Sequence, residues 1–120
     1  MKIEEHQVNP EDLSNDVVEI VKVSMDDKGS VMYIGSLSAD DFIEWQETKD
    51  SGDPEAKKNA SALLMTRSLV KGEKDSTRIG TPTMIAHFRR AKVSRTERLL
   101  KAILKLNYIN QKDEVATKNS

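Results

Sequence analysis

The segment that decides the fold is Asn-Ala-Ser-Ala-Leu-Leu-Met-Thr-Arg-Ser-Leu-Val, residues 59–70, the longest mostly apolar stretch in a chain rich in charge. In a helix it places Ala60 and Leu64 on one side and Met65 on the adjoining side. An apolar arc this wide is typical of a helix that is buried on several sides. We therefore predict a central helix over about 54–71, around which shorter elements pack.

Length and composition indicate one modest domain. The chain has 120 residues, of which 37% are hydrophobic and 32% charged, enough for a single core. It contains no cysteine, which excludes disulfides and thiolate metal sites. No apolar run approaches the roughly 18 residues that a membrane span requires, and the N-terminus does not resemble a signal peptide. We expect a cytoplasmic protein with no membrane partner.

The net charge of −1 conceals a segregation of charge along the chain. Residues 1–55 contain 4 Lys and Arg against 15 Asp and Glu, whereas residues 56–120 contain 15 against 5. Two interpretations stay open. The halves neutralise each other within one fold, or they form complementary faces between neighbouring copies, and the two are not exclusive.

The first half of the chain predicts a β-hairpin and a helix. Residues 17–23 are rich in β-branched side chains, and a second apolar run covers 30–36. The turn between them contains Gly29, which can adopt a positive φ. A helix is predicted to begin at Ser38, because Asp41 stands three residues later and completes a capping box.

The second half predicts three further helices, beginning with the central one. Residues 71–80 are expected to form a polar loop. A third helix is expected after Pro82, and a Ser-x-x-Glu capping box at Ser94 predicts the start of a fourth. The fourth carries an inward stripe that includes Leu99 and Ile103.

Together these signals predict an α+β fold that is mainly α: an N-terminal β-hairpin followed by about four helices packed around the central one. The predicted single globular domain covers residues 17–110. A mobile leader over 1–16 precedes it, and a disordered tail over 111–120 follows it.

No pattern in the sequence indicates catalysis or cofactor binding. His6 and His87 are not spaced with Asp or Glu as metal ligands are, and phosphate-binding glycine motifs are absent. The serines have no general base nearby in sequence. We therefore expect a protein that is not an enzyme and that has no cofactor and no metal.

The strongest site-like feature is a basic stretch over 87–98. It lies in a predicted helix pair, 81–106, that weakly matches helix-turn-helix geometry, so phosphate contacts with nucleic acid are one interpretation. A solvated helix face and a surface that meets the acidic half of a neighbouring copy are the two favoured ones. The basic residues are Arg89, Arg90, Lys92, Arg95 and Arg98.

The order of these features resembles the tail assembly chaperones of long-tailed bacteriophages, over about residues 17–108. Three segments carry the resemblance: Leu-Ser-Ala-Asp-Asp-Phe-Ile-Glu-Trp at 37–45, Ala-Ser-Ala-Leu-Leu-Met-Thr-Arg-Ser-Leu-Val at 60–70, and Leu-Leu-Lys-Ala-Ile-Leu-Lys-Leu-Asn at 99–107. The resemblance implies a small helical protein, absent from the finished virion, that coats the tape-measure protein, keeps it soluble and helps the tail tube polymerise around it. It also implies self-association in the cytoplasm of an infected or lysogenic bacterium.

On this basis we expect apolar side chains around Phe42, Trp45 and Met65 to form the client groove, and the basic face over 89–98 to serve self-association. The expected partner is the tape-measure protein, with the tail tube protein as a second candidate and nucleic acid disfavoured. Two alternatives are a small nucleic-acid-binding regulator that uses 81–106 and a structural tail or head-completion protein of the virion.

Overall fold

The computed structural model describes residue 5, residues 7–15 and residues 17–109, of which 14 and 15 are described by their backbone alone. The predicted tail over 111–120 lies outside the described residues, as do parts of the predicted leader. The α+β, mainly helical fold class is confirmed. The elements are a 3-10 helix (Pro10–Asn15), β1 (Ile20–Ser24), β2 (Val31–Gly35), α1 (Ala39–Lys49), α2 (Pro54–Ser68), β3 (Val70–Gly72), β4 (Asp75–Arg78), α3 (Thr83–Arg90) and α4 (Val93–Leu106).

Side-chain caps fix the starts of α1 and α2. The Ser38 hydroxyl accepts a hydrogen bond from the Asp41 N–H at 3.2 Å, and the Asp41 carboxylate accepts one from the Ser38 N–H at 3.4 Å. The predicted capping box is therefore confirmed. The Asp53 carboxylate accepts from the Glu55 N–H at 3.0 Å at the start of α2. Each cap satisfies N–H groups that the first helical turn leaves without partners.

Helix α2 is the centre of the fold, as predicted. It contacts α1, α3 and α4, and its buried residues include Leu64 and Met65. The buried hydroxyls of Thr66 and Ser68 each donate to a backbone carbonyl one turn earlier, at 2.8 Å. The helix ends at Ser68, three residues before the predicted end, because Leu69 is extended and leads the chain into β3.

The predicted hairpin is confirmed as the antiparallel pair β1 and β2, with Gly29 in its turn at φ 91°. The prediction of a polar loop over 71–80 was wrong, because most of that segment forms a second antiparallel hairpin, β3 and β4. Its strands are short and, apart from the buried Val70, carry no large apolar side chain, so main-chain pairing rather than an apolar face defines them. One bridge, between Ile34 and Leu69, joins the two hairpins.

Arg78 ties the two hairpins to the end of α2. Its guanidinium donates to the backbone carbonyls of Arg67 at 3.0 Å, Ser68 at 3.3 Å and Gly35 at 3.4 Å. It also donates to the carbonyl of Ser36. A single long side chain thereby satisfies acceptors from two separate elements, which helps to fix β2 against the C-terminal end of α2.

Helix α4 begins at Val93, so the capping box predicted at Ser94 is wrong: the N-cap is Lys92 and makes no side-chain cap bond. Ser94 already lies inside the first turn. The inward stripe is confirmed, because Leu99 and Ile103 are fully buried. Asn107 is the C-cap of α4. Its side-chain oxygen accepts from the Leu37 N–H at 2.8 Å, across 70 positions of sequence.

Candidate functional site

An apolar groove of about 700 Å³ lies between α3 and the strands β2 and β3. Strand β2 and the turn before it form one wall, and the exposed side of α3 forms the other. The apolar side chains that line the groove include Met25, Met32, Leu69, Ile79, Met84 and Phe88.

The groove exists because α3 is covered on one side only. None of the eight residues of α3 is fully buried, although the helix packs against α2. Met84 and Phe88 are half-buried and reach the core from the groove wall. At the rim, Val31 and Ile79 are 43% and 42% exposed. Apolar side chains grouped in this way on a water-facing surface are typical of a binding site.

Methionine gives this surface an adaptable character. Met25, Met32 and Met84 line the groove, whereas Met65 lies in the core at 3% exposure. The unbranched thioether side chain changes rotamer easily and is polarizable, so it can fit partners of varied shape. Met32 and Met84 are half-buried, so their adaptability can serve binding, whereas Met25 lines the groove from the core at 6% exposure.

The groove is lined by three basic side chains. They are Lys71, His87 and Arg95, and no carboxylate of the described residues lines it. Arg95 is neutralised by Asp26 at 2.9 Å, and Lys71 is 4.0 Å from Asp75.

Two further cations stand beside the groove where α3 ends. Arg90 and Lys92 flank Ala91, a lining residue. Neither side chain forms an ion pair with the described part of the chain. Arg90 and Lys92 thus place two positive charges without an ion-pair partner among the described residues at the junction of α3 and α4.

A pair of ionic contacts holds the β1–β2 turn against α4. Asp26 meets Arg95 at 2.9 Å, and Asp27 meets Arg98 at 3.2 Å. The backbone N–H of Lys28 hydrogen-bonds to the Asp26 carboxylate and, together with hydrogen bonds from Ser30 and the charge of Arg95, lowers the pKa of Asp26 below its usual 3.8.

These contacts bear on the segregated charges of the two halves of the chain. Besides the two pairs at the turn, Arg67 meets Glu44 at 3.1 Å and Arg89 lies 3.6 Å from Glu55. All four pairs join a basic residue after position 55 to an acidic residue at or before it. The structure thus favours neutralisation within one fold.

Two of the three residues predicted to bind a client lie in the core. Trp45 is 5% exposed and Met65 is 3% exposed, so neither side chain lies open to a client in this structure, and their part in client binding stays a prediction. Phe42 is half-buried and its ring centroid lies 5.8 Å from that of Trp45. With five aromatic residues in the chain, the core uses the one indole for packing. The signal that does mark the groove is the Met84 and Phe88 stripe of α3.

The predicted basic face is divided among different tasks. Arg89 also donates to the Asn59 side chain at 2.9 Å, and Arg95 and Arg98 hold the β1–β2 turn. Of the five residues predicted for this face, only Arg90 and Lys92 lack an acidic partner within the described residues. Carboxylates of the same chain thus compete for Arg89, Arg95 and Arg98 with any phosphate or neighbouring copy.

Within the described residues, no group of three or more His, Asp or Glu side chains is placed to bind a metal. In the same part of the chain, no helix is long and apolar enough to cross a membrane. Comparisons with known protein families, curated proteins and solved structures found no match. The groove is the feature on which a functional proposal can rest.

Proposed function

We propose that the protein is a tail assembly chaperone of a long-tailed bacteriophage, which binds the tape-measure protein, keeps it soluble and promotes assembly of the tail tube. The observation that carries this proposal is the open apolar groove of α3, β2 and β3, with its three methionines. The resemblance over about residues 17–108 supplies the identity of the client.

The physical requirements of such a chaperone agree with this surface. A long helical client exposes apolar stripes until the tube encloses it, and those stripes must be covered reversibly. An apolar surface with flexible methionines covers varied stripes without demanding one shape. A binding protein of this kind needs no catalytic group.

Self-association is part of the proposal, and two residues of the predicted basic face are candidates for it. Because Arg89, Arg95 and Arg98 are engaged within the chain, Arg90 and Lys92 are the basic residues left for a neighbouring copy. Reversing both charges is expected to lower the apparent mass in sedimentation velocity. An unchanged distribution would contradict this part of the proposal.

The test of the chaperone function is co-expression with the tape-measure protein encoded in the same genome. We expect the client to be recovered in the soluble fraction, and to co-elute with this protein on size exclusion, only when the chaperone is present. Phe88→Asp should abolish both effects. Ile43→Asp, at a site on α1 that is 49% exposed and outside the groove, is the matched control and should not.

A client that is equally soluble without the chaperone would contradict the proposal. Recovery of this chain from purified phage particles would contradict it as well and would indicate a structural virion component.

A further inference from the structure

We infer that the groove binds one amphipathic helix of a partner protein, whose apolar stripe is flanked by acidic residues. The inference rests on the proposed function, since it specifies which kind of client segment is held. It is carried by the shape of the groove, the pairing of its strands and the charges at its rim.

The pairing of β2 favours a helix over an added strand. One edge of β2 is paired with β1 along its whole length, from Val31 to Gly35. The other edge is approached by the second hairpin, through the bridge between Ile34 and Leu69. The groove-lining part of β2, residues 31–33, has no strand partner on this edge within the described residues, but three residues are short for an added strand. Recognition must depend on side chains, as when an amphipathic helix lies in a groove.

The dimensions and lining agree with this mode. A volume of about 700 Å³ takes several large apolar side chains, and pockets of 300–1,000 Å³ are typical of binding sites. A helix presents such side chains at positions i, i+3 or i+4, and i+7. Met32 on the strand wall and Met84 on the helix wall can contact this stripe from both sides.

The charges at the groove select the flanks of the bound helix. Lys71 and Arg95 line it but are paired with Asp75 and Asp26, and His87 lines it as well, with no carboxylate among its described lining residues. Arg90 and Lys92 add charge without compensation at the end of α3. A helix with acidic flanks is attracted to this rim, and one with basic flanks is repelled. Such complementarity acts mainly on specificity and association rate.

A second copy of this chain fits the groove less well. Its most acidic helix is α1, which carries acids such as Asp40 and Glu47. The large apolar residues of α1 are largely used internally, because Trp45 is buried and Phe42 packs against the core. Only Ile43 is exposed, at 49%. One exposed isoleucine does not provide the stripe that the groove is shaped to receive.

The methionines provide a direct test by NMR. The full chain, labelled with ¹³C at the methionine methyl groups, is titrated with a 15-residue amphipathic helical peptide that carries a leucine stripe and glutamate flanks. A matched peptide keeps the leucines and replaces each glutamate by lysine. We expect the signals of Met25, Met32 and Met84 to shift, whereas that of Met65 in the core stays in place.

The acidic peptide should bind about tenfold more tightly than the basic one, a difference that follows from the rim charges. The variant Arg90→Glu with Lys92→Glu should reduce or reverse this preference while the same three methionines still respond. Equal affinity of the two peptides would overturn the acidic-flank part. Absence of any shift at the groove methionines would overturn the inference as a whole.

Shifts of the same methionines on concentrating the protein without peptide would show that a second copy occupies the groove, which would also overturn it. The peptide titration involves no phage protein, so it separates the two proposals. Peptide binding without an effect on the tape-measure protein would refute the chaperone function alone. Client solubilisation that survives Phe88→Asp would refute the groove inference alone.

Discussion

Helices α2 and α3 have similar sequence patterns but differ in how far the rest of the fold covers them. Helix α2 begins at Pro54, α3 begins directly after Pro82, and both present an apolar stripe. Helix α2 is contacted by α1, α3 and α4 and contains several buried residues, whereas α3 contains none. Apolar spacing thus tells which face of a helix is apolar, but the neighbours decide whether that face is covered. Where they leave it open, the same pattern that builds a core builds a binding surface.

The comparison is tested most strongly at Leu64 of α2, which is 1% exposed. Leu64→Ala should lower the free energy of unfolding by about 3 kcal/mol, because it leaves a cavity in the core. Leu63→Ala, at the adjacent and only half-buried position, is the matched control and should cost clearly less. Urea denaturation followed by circular dichroism measures both. Equal losses would contradict the described orientation of α2.

A smaller effect is expected at Gly80, where the chain passes α2 on its way to α3. A Cβ atom at this position would stand 2.0 Å from the Thr66 carbonyl oxygen, so the backbone must shift. Gly80→Ala should therefore lower the free energy of unfolding by about 2 kcal/mol. A Cβ atom at Gly52 would meet no atom within 4 Å, so Gly52→Ala should be close to neutral. Thermal melts of the two variants measure the difference. A neutral Gly80→Ala would show that α3 is not held against α2 here.

The open helix should respond differently to truncation. Phe88→Ala on α3 is expected to cost only about 1 kcal/mol in stability, because the ring is half-buried and its removal leaves no closed cavity. Its affinity for the acidic peptide should nevertheless fall at least about tenfold. Urea denaturation and peptide titration together separate the two effects. A stability loss as large as that of Leu64→Ala would place Phe88 in the core and contradict the contrast between the helices.

The smallest effect concerns the turn that bounds the groove. Because folding lowers the pKa of Asp26, the group stabilises the fold at pH values above its unfolded pKa, and this stabilisation fades as the pH falls below about 4. Asp26→Asn keeps an acceptor for the turn but loses the ion pair with Arg95. It should lower the Tm at pH 7 and match the parent chain at strongly acidic pH.

Asp27→Asn is the control for this experiment. The Asp27 side chain is 93% exposed, and an ion pair so open to solvent contributes little. Its Tm should stay close to that of the parent at both pH values. A gap between Asp26→Asn and the parent that persists in acid would show that the stabilisation does not come from the negative charge of Asp26, which hydrogen bonds from Lys28 and Ser30 and the charge of Arg95 favour.

The features that could be predicted from sequence are those with local causes. The capping box at Ser38, the turn at Gly29 and the wide apolar arc of α2 each depend on residues close together in the chain. The β3–β4 hairpin was missed because its strands are mostly polar and are defined by main-chain pairing. A local motif was misleading at Ser94, where Ser-x-x-Glu predicted a cap. The helix begins at Val93, one residue earlier, so Ser94 lies inside the first turn.

The candidate site was less accessible to prediction because it depends on coverage by distant elements. The sequence indicates an apolar stripe with Met84 and Phe88, but not that β2 and β3 stand far enough away to leave it open. Nor does it indicate that Trp45 is enclosed. The ion pair of Arg95 with Asp26 joins positions 69 residues apart. The segregation of charge predicts that the two halves attract each other, but it does not predict which residues pair.

The hydrogen bond from the Leu37 N–H to Asn107 has a consequence for synthesis on the ribosome. The two residues are 70 positions apart. At translation rates of 5–20 residues per second, Asn107 is added roughly 4–14 seconds after Leu37. The first hairpin and α1 can thus form their own turns and caps early, but this attachment to the C-terminal end of α4 is completed only after nearly all of the described fold has been made.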